Sequence, residues 1–255
     1  MSVFLVKIFS SLKRRGVRRT LVRISGRLLL EAGIARLINR TLAKLFDARH
    51  GTQTCGIVFP EQMDIDPERK AHGQFYVATP FYEFKRLMAR LDVDTTKYTF
   101  IDFGCGMGKV LLYADAYNFQ SVIGIEYSTL LADIARKNIA LYCGDKTPPP
   151  QVIIGDAGTF KIPPTPCVLF FFNPFSSTVT GEVLVNLHQA YQDGNQDIYI
   201  VWYNTTDNAA PLFEAPWLQV IDGETTCVID DFDRPLLQLA QIWLPYTLFR
   251  VRPES

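Results

Sequence analysis

Four polar side chains in this sequence sit just after, or within the end of, an apolar run, and three glycines follow the first of them. Asp102 begins the stretch Asp-Phe-Gly-Cys-Gly-Met-Gly, which places Gly104, Gly106 and Gly108 at alternate positions. Glu126 closes the run from Ser121, Asp156 follows the run from Gln151, and Asn173-Pro174-Phe175 follows the run from Cys167. Glycines so spaced let the backbone approach a ligand closely and take up positive φ. A helix that opens after them offers free N–H groups to an acceptor. Strand, glycine turn and helix opening together make a nucleotide site at the carboxyl edge of a parallel sheet. A carboxylate at the next strand end, such as Glu126, can accept hydrogen bonds from both hydroxyls of a ribose.

Spacing decides which nucleotide. A dinucleotide turn needs Gly-x-Gly-x-x-Gly, but here the third glycine comes one residue early and Lys109 stands in its place. A phosphate loop needs Gly-x-x-x-x-Gly-Lys-Ser/Thr. Counting back from Gly108-Lys109 puts Phe103 at the first glycine, and Val110 replaces the hydroxyl residue. What remains is Asp-x-Gly-x-Gly-x-Gly.

The elements that must hold these groups are legible in outline. Tyr98, Phe100, Ile101 and Phe103 give a strand before the glycines, and Val110, Leu111, Leu112 and Ala114 give a helix after them. Glu126 lies 18 residues beyond Gly108, as a βαβ unit requires. Ser128 then caps a helix that turns Leu130, Leu131, Ile134, Ala135 and Ile139 inward. Gln151–Ile154 forms a third strand. Cys167–Phe172 has no polar break, as expected of a central strand covered on both faces. Ile198–Tyr203 is a fifth strand, from whose end Tyr203, Asn204, Thr205 and Thr206 lead away. Leu218–Ile221 and Leu236–Trp243 suit a closing antiparallel pair, with a polar loop at Asp230–Asp233 between them. Upstream, Thr79 is a good N-cap and Pro80 suits the first position of a helix that runs to about Leu91. The expected fold is α/β, a three-layer Rossmann-like sheet of about seven strands. It is mostly parallel with an antiparallel C-terminal hairpin, joined by right-handed crossovers, and carries a helical N-terminal appendage.

Taken in this order, and each at a strand end, the motifs Asp102–Gly108, Glu126, Gly155-Asp156-Ala157 and Asn173-Pro174-Phe175 resemble those of class I S-adenosylmethionine-dependent methyltransferases. The resemblance covers about Tyr76 to Pro245. It implies S-adenosyl-L-methionine as cofactor, held by Tyr76, Thr79, Asp102, Gly104, Gly106, Gly108, Glu126, Asp156, Ala157 and Asn173. On this reading Tyr76 and Thr79, from a Tyr-x-x-Thr-Pro element similar to that of several bacterial methyltransferases, lie over the methionine end. Asp102 braces the turn and faces the cofactor's ammonium, Asp156 accepts from the adenine amino group, and the Ala157 N–H reaches a ring nitrogen. Asn173, Phe175 and Tyr203 handle the acceptor. Amino-methylating members carry two prolines after the Asp or Asn, and the single Pro174 argues against a nucleobase acceptor. The resemblance implies methyl transfer, with a protein lysine amine as leading acceptor. A small-molecule or lipid acceptor, and a non-catalytic cofactor-binding module, stand as alternatives. Each motif taken singly is also ordinary turn or capping chemistry. A nicotinamide oxidoreductase is disfavoured by the glycine spacing.

Charge is divided sharply. Residues 1–50 hold 12 Lys/Arg against Glu31 and Asp47, a surplus of +10, while residues 51–255 hold 14 basic against 24 acidic, −10. The acidic part does not suit a nucleic-acid groove. The expected division is a basic amphipathic helical segment at 1–50, a connection at 51–75 and the methyltransferase domain at 76–250. Apolar stripes at helical spacing with Arg and Lys leave three uses open for residues 1–46: packing on the domain or a partner, peripheral contact with an anionic membrane, or a mitochondrial transit peptide. Five scattered cysteines (Cys55, Cys105, Cys143, Cys167 and Cys227) read as reduced, which suits a cytoplasmic setting, with membrane association through 1–46 left open. No metal-ligand spacing is present. The acceptor could be protein or small molecule.

Overall fold

The computed structural model describes residues 34–146, 148–194, 197–223 and 244–252. The described residues begin with helix α1 (Ile34–His50), followed by a short strand β1 (Ile57–Val58), a one-turn helix α2 (Pro67–Lys70) and strand β2 (Tyr76–Val77), which pairs antiparallel with β1. Helix α3 (Phe81–Met88) leads into the alternating part: β3 (Thr99–Phe103), α4 (Lys109–Asp115), β4 (Ser121–Glu126), α5 (Thr129–Cys143), β5 (Gln151–Ile154), β6 (Cys167–Phe172), α6 (Ser177–Gln192), β7 (Ile198–Tyr203), α7 (Ala210–Glu214), β8 (Leu218–Gly223) and β9 (Tyr246–Val251).

The large sheet has seven strands in the order β5-β4-β3-β6-β7-β9-β8. The first five run parallel, and β9 lies antiparallel to both β7 and β8. This is the expected Rossmann-like sheet with its antiparallel carboxyl-terminal pair. The order turns at β3 and β6: from β3 the chain works outward to β5, then crosses back to β6. Adjacent strand ends at such a reversal splay apart and leave a crevice at the carboxyl edge.

Period-two alternation sorts the core into two layers. Phe100, Val168, Phe170, Val201 and Tyr203 point to the side of α3 and α4, while Ile101, Phe103, Leu169, Phe171, Ile200 and Trp202 point to the side of α6 and α7. Because β6 is covered on both faces, its apolar run is unbroken, as the sequence indicates.

Two boundaries differ from expectation, and one strand is additional to it. The closing strand is Tyr246–Val251, inserted between β7 and β8 with every side chain except Arg250 buried. The expected strand Leu236–Trp243, the Asp230–Asp233 loop, and the stripes before residue 34 lie outside the described residues. Pro80, with an extended ψ of 140°, is itself the N-cap of α3, so the helix starts one residue later than expected and ends at Met88 rather than Leu91. Helix α1 docks through Phe46 and His50 against Tyr113 and Tyr142, leaving Leu37, Leu42 and Leu45 facing outward. No helix among the described residues is long and apolar enough to cross a membrane.

Candidate active site

Main-chain hydrogen bonds stitch three strand ends together. The N–H groups of Gly104 and Cys105 donate to Ile125 O at 2.9 and 3.0 Å, and the Gly155 N–H donates to Glu126 O at 3.0 Å. The turn after β3, the end of β4 and the first residue past β5 therefore share one edge before any side chain is considered. The crevice they border has a volume of about 170 Å³. One water needs roughly 10–15 Å³, so the space suits a many-atom ligand. Tyr76, Thr79, Asp102, Gly104, Gly106, Glu126, Asp156, Ala157, Asn173 and Phe175 all border it.

Glu126 is buried and engaged at both oxygens. Oε2 accepts from the Gly106 N–H at 2.7 Å and Oε1 from the Ser128 N–H at 2.9 Å. Burial raises its pKa, and these backbone donors pull it back. A carboxylate has about four acceptor positions, so two remain for a ligand's hydroxyls. The glycine turn is equally specific. Gly106 has φ +53°, and a Cβ there would meet the Tyr76 ring at 2.2 Å. Tyr76 cannot swing aside freely, because its hydroxyl donates to Thr54 O at 2.7 Å. Gly104 is pressed in the same way by Pro174, 2.7 Å from where a Cβ would be.

Asp102 is 3 % exposed and borders the crevice, and its side chain forms no hydrogen bond or ion pair with any described residue. Burial, and then the nearby charge of Glu126, push its pKa well above the ordinary 3.8. A carboxyl whose pKa rises on folding contributes stability that is present below its unfolded pKa and lost as pH rises. Asp102→Asn should therefore make the ligand-free chain melt higher than the parent near neutral pH, with the gap closing toward about pH 4. A gain of about 1–2 kcal/mol corresponds to roughly 2–8 °C for a domain of this size. Thermal melts of both proteins across pH check this; equal midpoints throughout would show that Asp102 carries no such strain.

The two nearest cations are already committed. Lys109 is the first residue of α4, where a phosphate-binding lysine would stand. Its Nζ instead donates to Thr54 Oγ1 at 2.6 Å, lies 3.6 Å from Asp47 Oδ1 of α1, and sits 3.7 Å from the centre of the Phe46 ring. Burial lowers its pKa to about 8. Arg69 of α2 bridges Asp156 and Glu182. Asp156 also accepts from the Gly158 N–H at 2.8 Å, so it is in the expected place but already has two partners.

Residues 51–75, expected only to connect, build one wall. Asp64 accepts from the Ser128 hydroxyl and Asp66 from the Tyr127 hydroxyl, both just beyond Glu126. His72 Nδ1 lies 2.9 Å from Ser176 Oγ, Gln74 N–H donates to Pro174 O, and Gly73 forms an antiparallel bridge with Phe175. Met63, Ile65, Arg69 and Phe75 border the crevice from this segment. Sequence reasoning missed them because the stretch has no period; the only local signal was Asp66-Pro67, an N-cap followed by proline.

Two expected site residues are not brought to the crevice. Gly108 is the left-handed N-cap of α4 and packs on Ala135. Tyr203 is fully buried on the α3 side, its ring 4.6 Å from that of Phe172 and its hydroxyl bonded to Glu83. Its register partner Phe172 borders the crevice on the same face, but Tyr203 lies one strand farther out, where Glu83 of α3 takes its hydroxyl. The next residue, Asn204, borders the crevice instead.

No protein-family model matches the chain, and no curated protein matches it in sequence. Among solved structures it is similar to a ribosomal protein L11 methylase from Lactobacillus delbrueckii subsp. bulgaricus (14 % identity, 67 % of this chain and 77 % of that one, TM-score 0.45). It is also similar to a methylase from Haemophilus influenzae (17 %, 67 % and 89 %, TM-score 0.48). A third is an RNA methyltransferase from Salinibacter ruber in complex with S-adenosyl-L-homocysteine (18 %, 70 % and 98 %, TM-score 0.45). At these distances the functional reading rests on the crevice itself.

Proposed function

We propose that this chain transfers the methyl group of S-adenosyl-L-methionine to an acceptor nucleophile, with a protein lysine ε-amine as the acceptor. The observation that carries the reading is the charge of the crevice. Asp102 and Glu126 border it as buried acidic groups, Asp102 has no cationic partner among the described residues, and the two cations that also border it are engaged by other partners, Lys109 by Thr54 and Asp47 and Arg69 by Asp156 and Glu182. Such a site fits a ligand that brings positive charge and hydroxyl donors, and opposes one that brings a pyrophosphate.

The chain's residues fit that cofactor. Asp102 would face its ammonium, Glu126 its ribose hydroxyls, and Asp156 with Ala157 its base, while Tyr76 and Thr79 close the methionine end. When bound, the cofactor supplies a methyl group made electrophilic by its sulfonium. The protein's part is to hold the nucleophile in line and to exclude water. Phe170, Phe172 and Phe175 give the acceptor end an apolar lining suited to that task.

Calorimetric titration tests this. S-adenosylmethionine should bind and NADH should not. Binding should also release protons, because a cation beside Asp102 lowers its pKa; repeating the titration in buffers of different ionisation enthalpy reads that release. NADH binding without S-adenosylmethionine binding would falsify the proposal.

A further inference from the structure

Asn173 follows β6 with φ +42°, and Asn204 follows β7 with φ +61°. Register pairs Phe172 with Tyr203, so the two asparagines are neighbours at the carboxyl edge. A left-handed backbone is uncommon outside glycine, and asparagine tolerates it best. Two adjacent strands ending this way, with both residues bordering the crevice and only 7 % and 8 % exposed, is a built arrangement.

Their amides differ. Asn173 Oδ1 accepts from Thr206 Oγ1 and from Asn208 Nδ2, each at 3.0 Å. Both of its lone pairs are thus used by the loop after β7, and it cannot also hold the N–H of an incoming amine. The Asn204 side chain makes no hydrogen bond with any described residue, and the residue borders the crevice. Its amide is therefore free to pair with a ligand there.

We propose that Asn204 is the acceptor-holding residue: its side-chain carbonyl accepts a hydrogen bond from the N–H of a neutral primary amine and aims the nitrogen at the methyl group. This rests on the methyl-transfer reading above and deepens it. The amine arrives having lost its proton to solvent. Its lone pair forms the new nitrogen–carbon bond as the carbon–sulfur bond breaks, and that bonding pair stays on sulfur as a neutral thioether. The nitrogen leaves as a secondary ammonium, so one proton is released in all. The role needs only an acceptor oxygen, carried by a residue that tolerates positive φ.

The test uses full-length protein, S-adenosylmethionine labelled on its methyl group, and two probes: a desalted cell lysate and the small-molecule filtrate from it. Asn204→Gly deletes the amide while keeping a residue at ease with positive φ. Asn204→Asp keeps an acceptor oxygen but cannot donate. Asn204→Gly should lower label transfer roughly 10–100-fold. Asn204→Asp should restore most of it, and both should bind S-adenosylmethionine within about twofold of the parent. Label from the lysate should appear as methyl-lysine after hydrolysis.

If Asn204→Asp is as inactive as Asn204→Gly, the amide acts as a donor to an oxygen nucleophile and the proposal is overturned. Unchanged transfer in Asn204→Gly also overturns it. Cofactor binding with no label in either probe overturns this inference while leaving the cofactor reading intact. Failure to bind the cofactor removes the methyl-transfer reading itself.

Discussion

Gly106→Ala should abolish measurable binding of S-adenosylmethionine, with affinity lowered at least about 100-fold, or about 2.7 kcal/mol. Two costs coincide at this position. A residue with a side chain resists φ +53°, at about 1–2 kcal/mol. The new methyl would also lie 2.2 Å from Tyr76 Cδ2, deep inside van der Waals contact. The ring is tethered through Thr54, so the turn must shift instead, and with it the N–H that Glu126 holds. Calorimetry on the variant gives the affinity, and a double-mutant cycle with Tyr76→Ala separates the two costs. Removing the ring should return the steric part and leave the φ part. If Gly106→Ala binds normally, the turn does not form the floor of the site.

Glu126→Ala should weaken the cofactor roughly 10–150-fold, the equivalent of about 1.4–3 kcal/mol. The loss has two origins that need separating. The carboxylate organises the protein, because without it the buried Gly106 and Ser128 N–H groups lose their acceptor. It should also meet the ribose directly. A cofactor analogue lacking one ribose hydroxyl isolates the second origin. The parent should discriminate against the analogue, and Glu126→Ala should bind both forms equally. Discrimination that survives in the variant would assign the ribose to another residue. Glu126→Gln is not a neutral control, since its amide would set a donor against one of the two N–H groups it must accept from.

What the sequence disclosed follows from the range of each signal. The glycine turn, Glu126, the Gly155-Asp156 turn and the β6 run are local patterns, a few residues long, fixed by backbone sterics or burial on both faces. The structure gathers them at one edge as expected. Tyr203 was picked from its place at a strand end, whereas its hydroxyl is taken up by Glu83 of α3, a partner far away in sequence. The strand expected at Leu236–Trp243 lies outside the described residues, and Tyr246–Val251, which forms β9, was not singled out as a strand. The wall formed by Asp64, Asp66, Arg69 and His72 was not legible, since each owes its place to a partner distant in sequence: Ser128, Tyr127, Asp156 and Ser176. Lys109 was noticed only as a misfit in two motifs. Its partners, Asp47, Thr54 and Phe46, lie on the far side of the domain's first strand in the sequence and nothing local announces them.

The pairing of His72 with Ser176 and of Gly73 with Phe175 spans 104 residues in the first case. Synthesis at roughly 5–20 residues per second separates their emergence by about 5–20 s. During that interval the sheet can already grow from β3 through β5, and the preceding segment can hold to it through Asp64 on Ser128 and Asp66 on Tyr127. Its contacts with Pro174, Phe175 and Ser176 must wait until β6 has emerged. The ligand chamber is therefore walled in two stages as the chain leaves the ribosome.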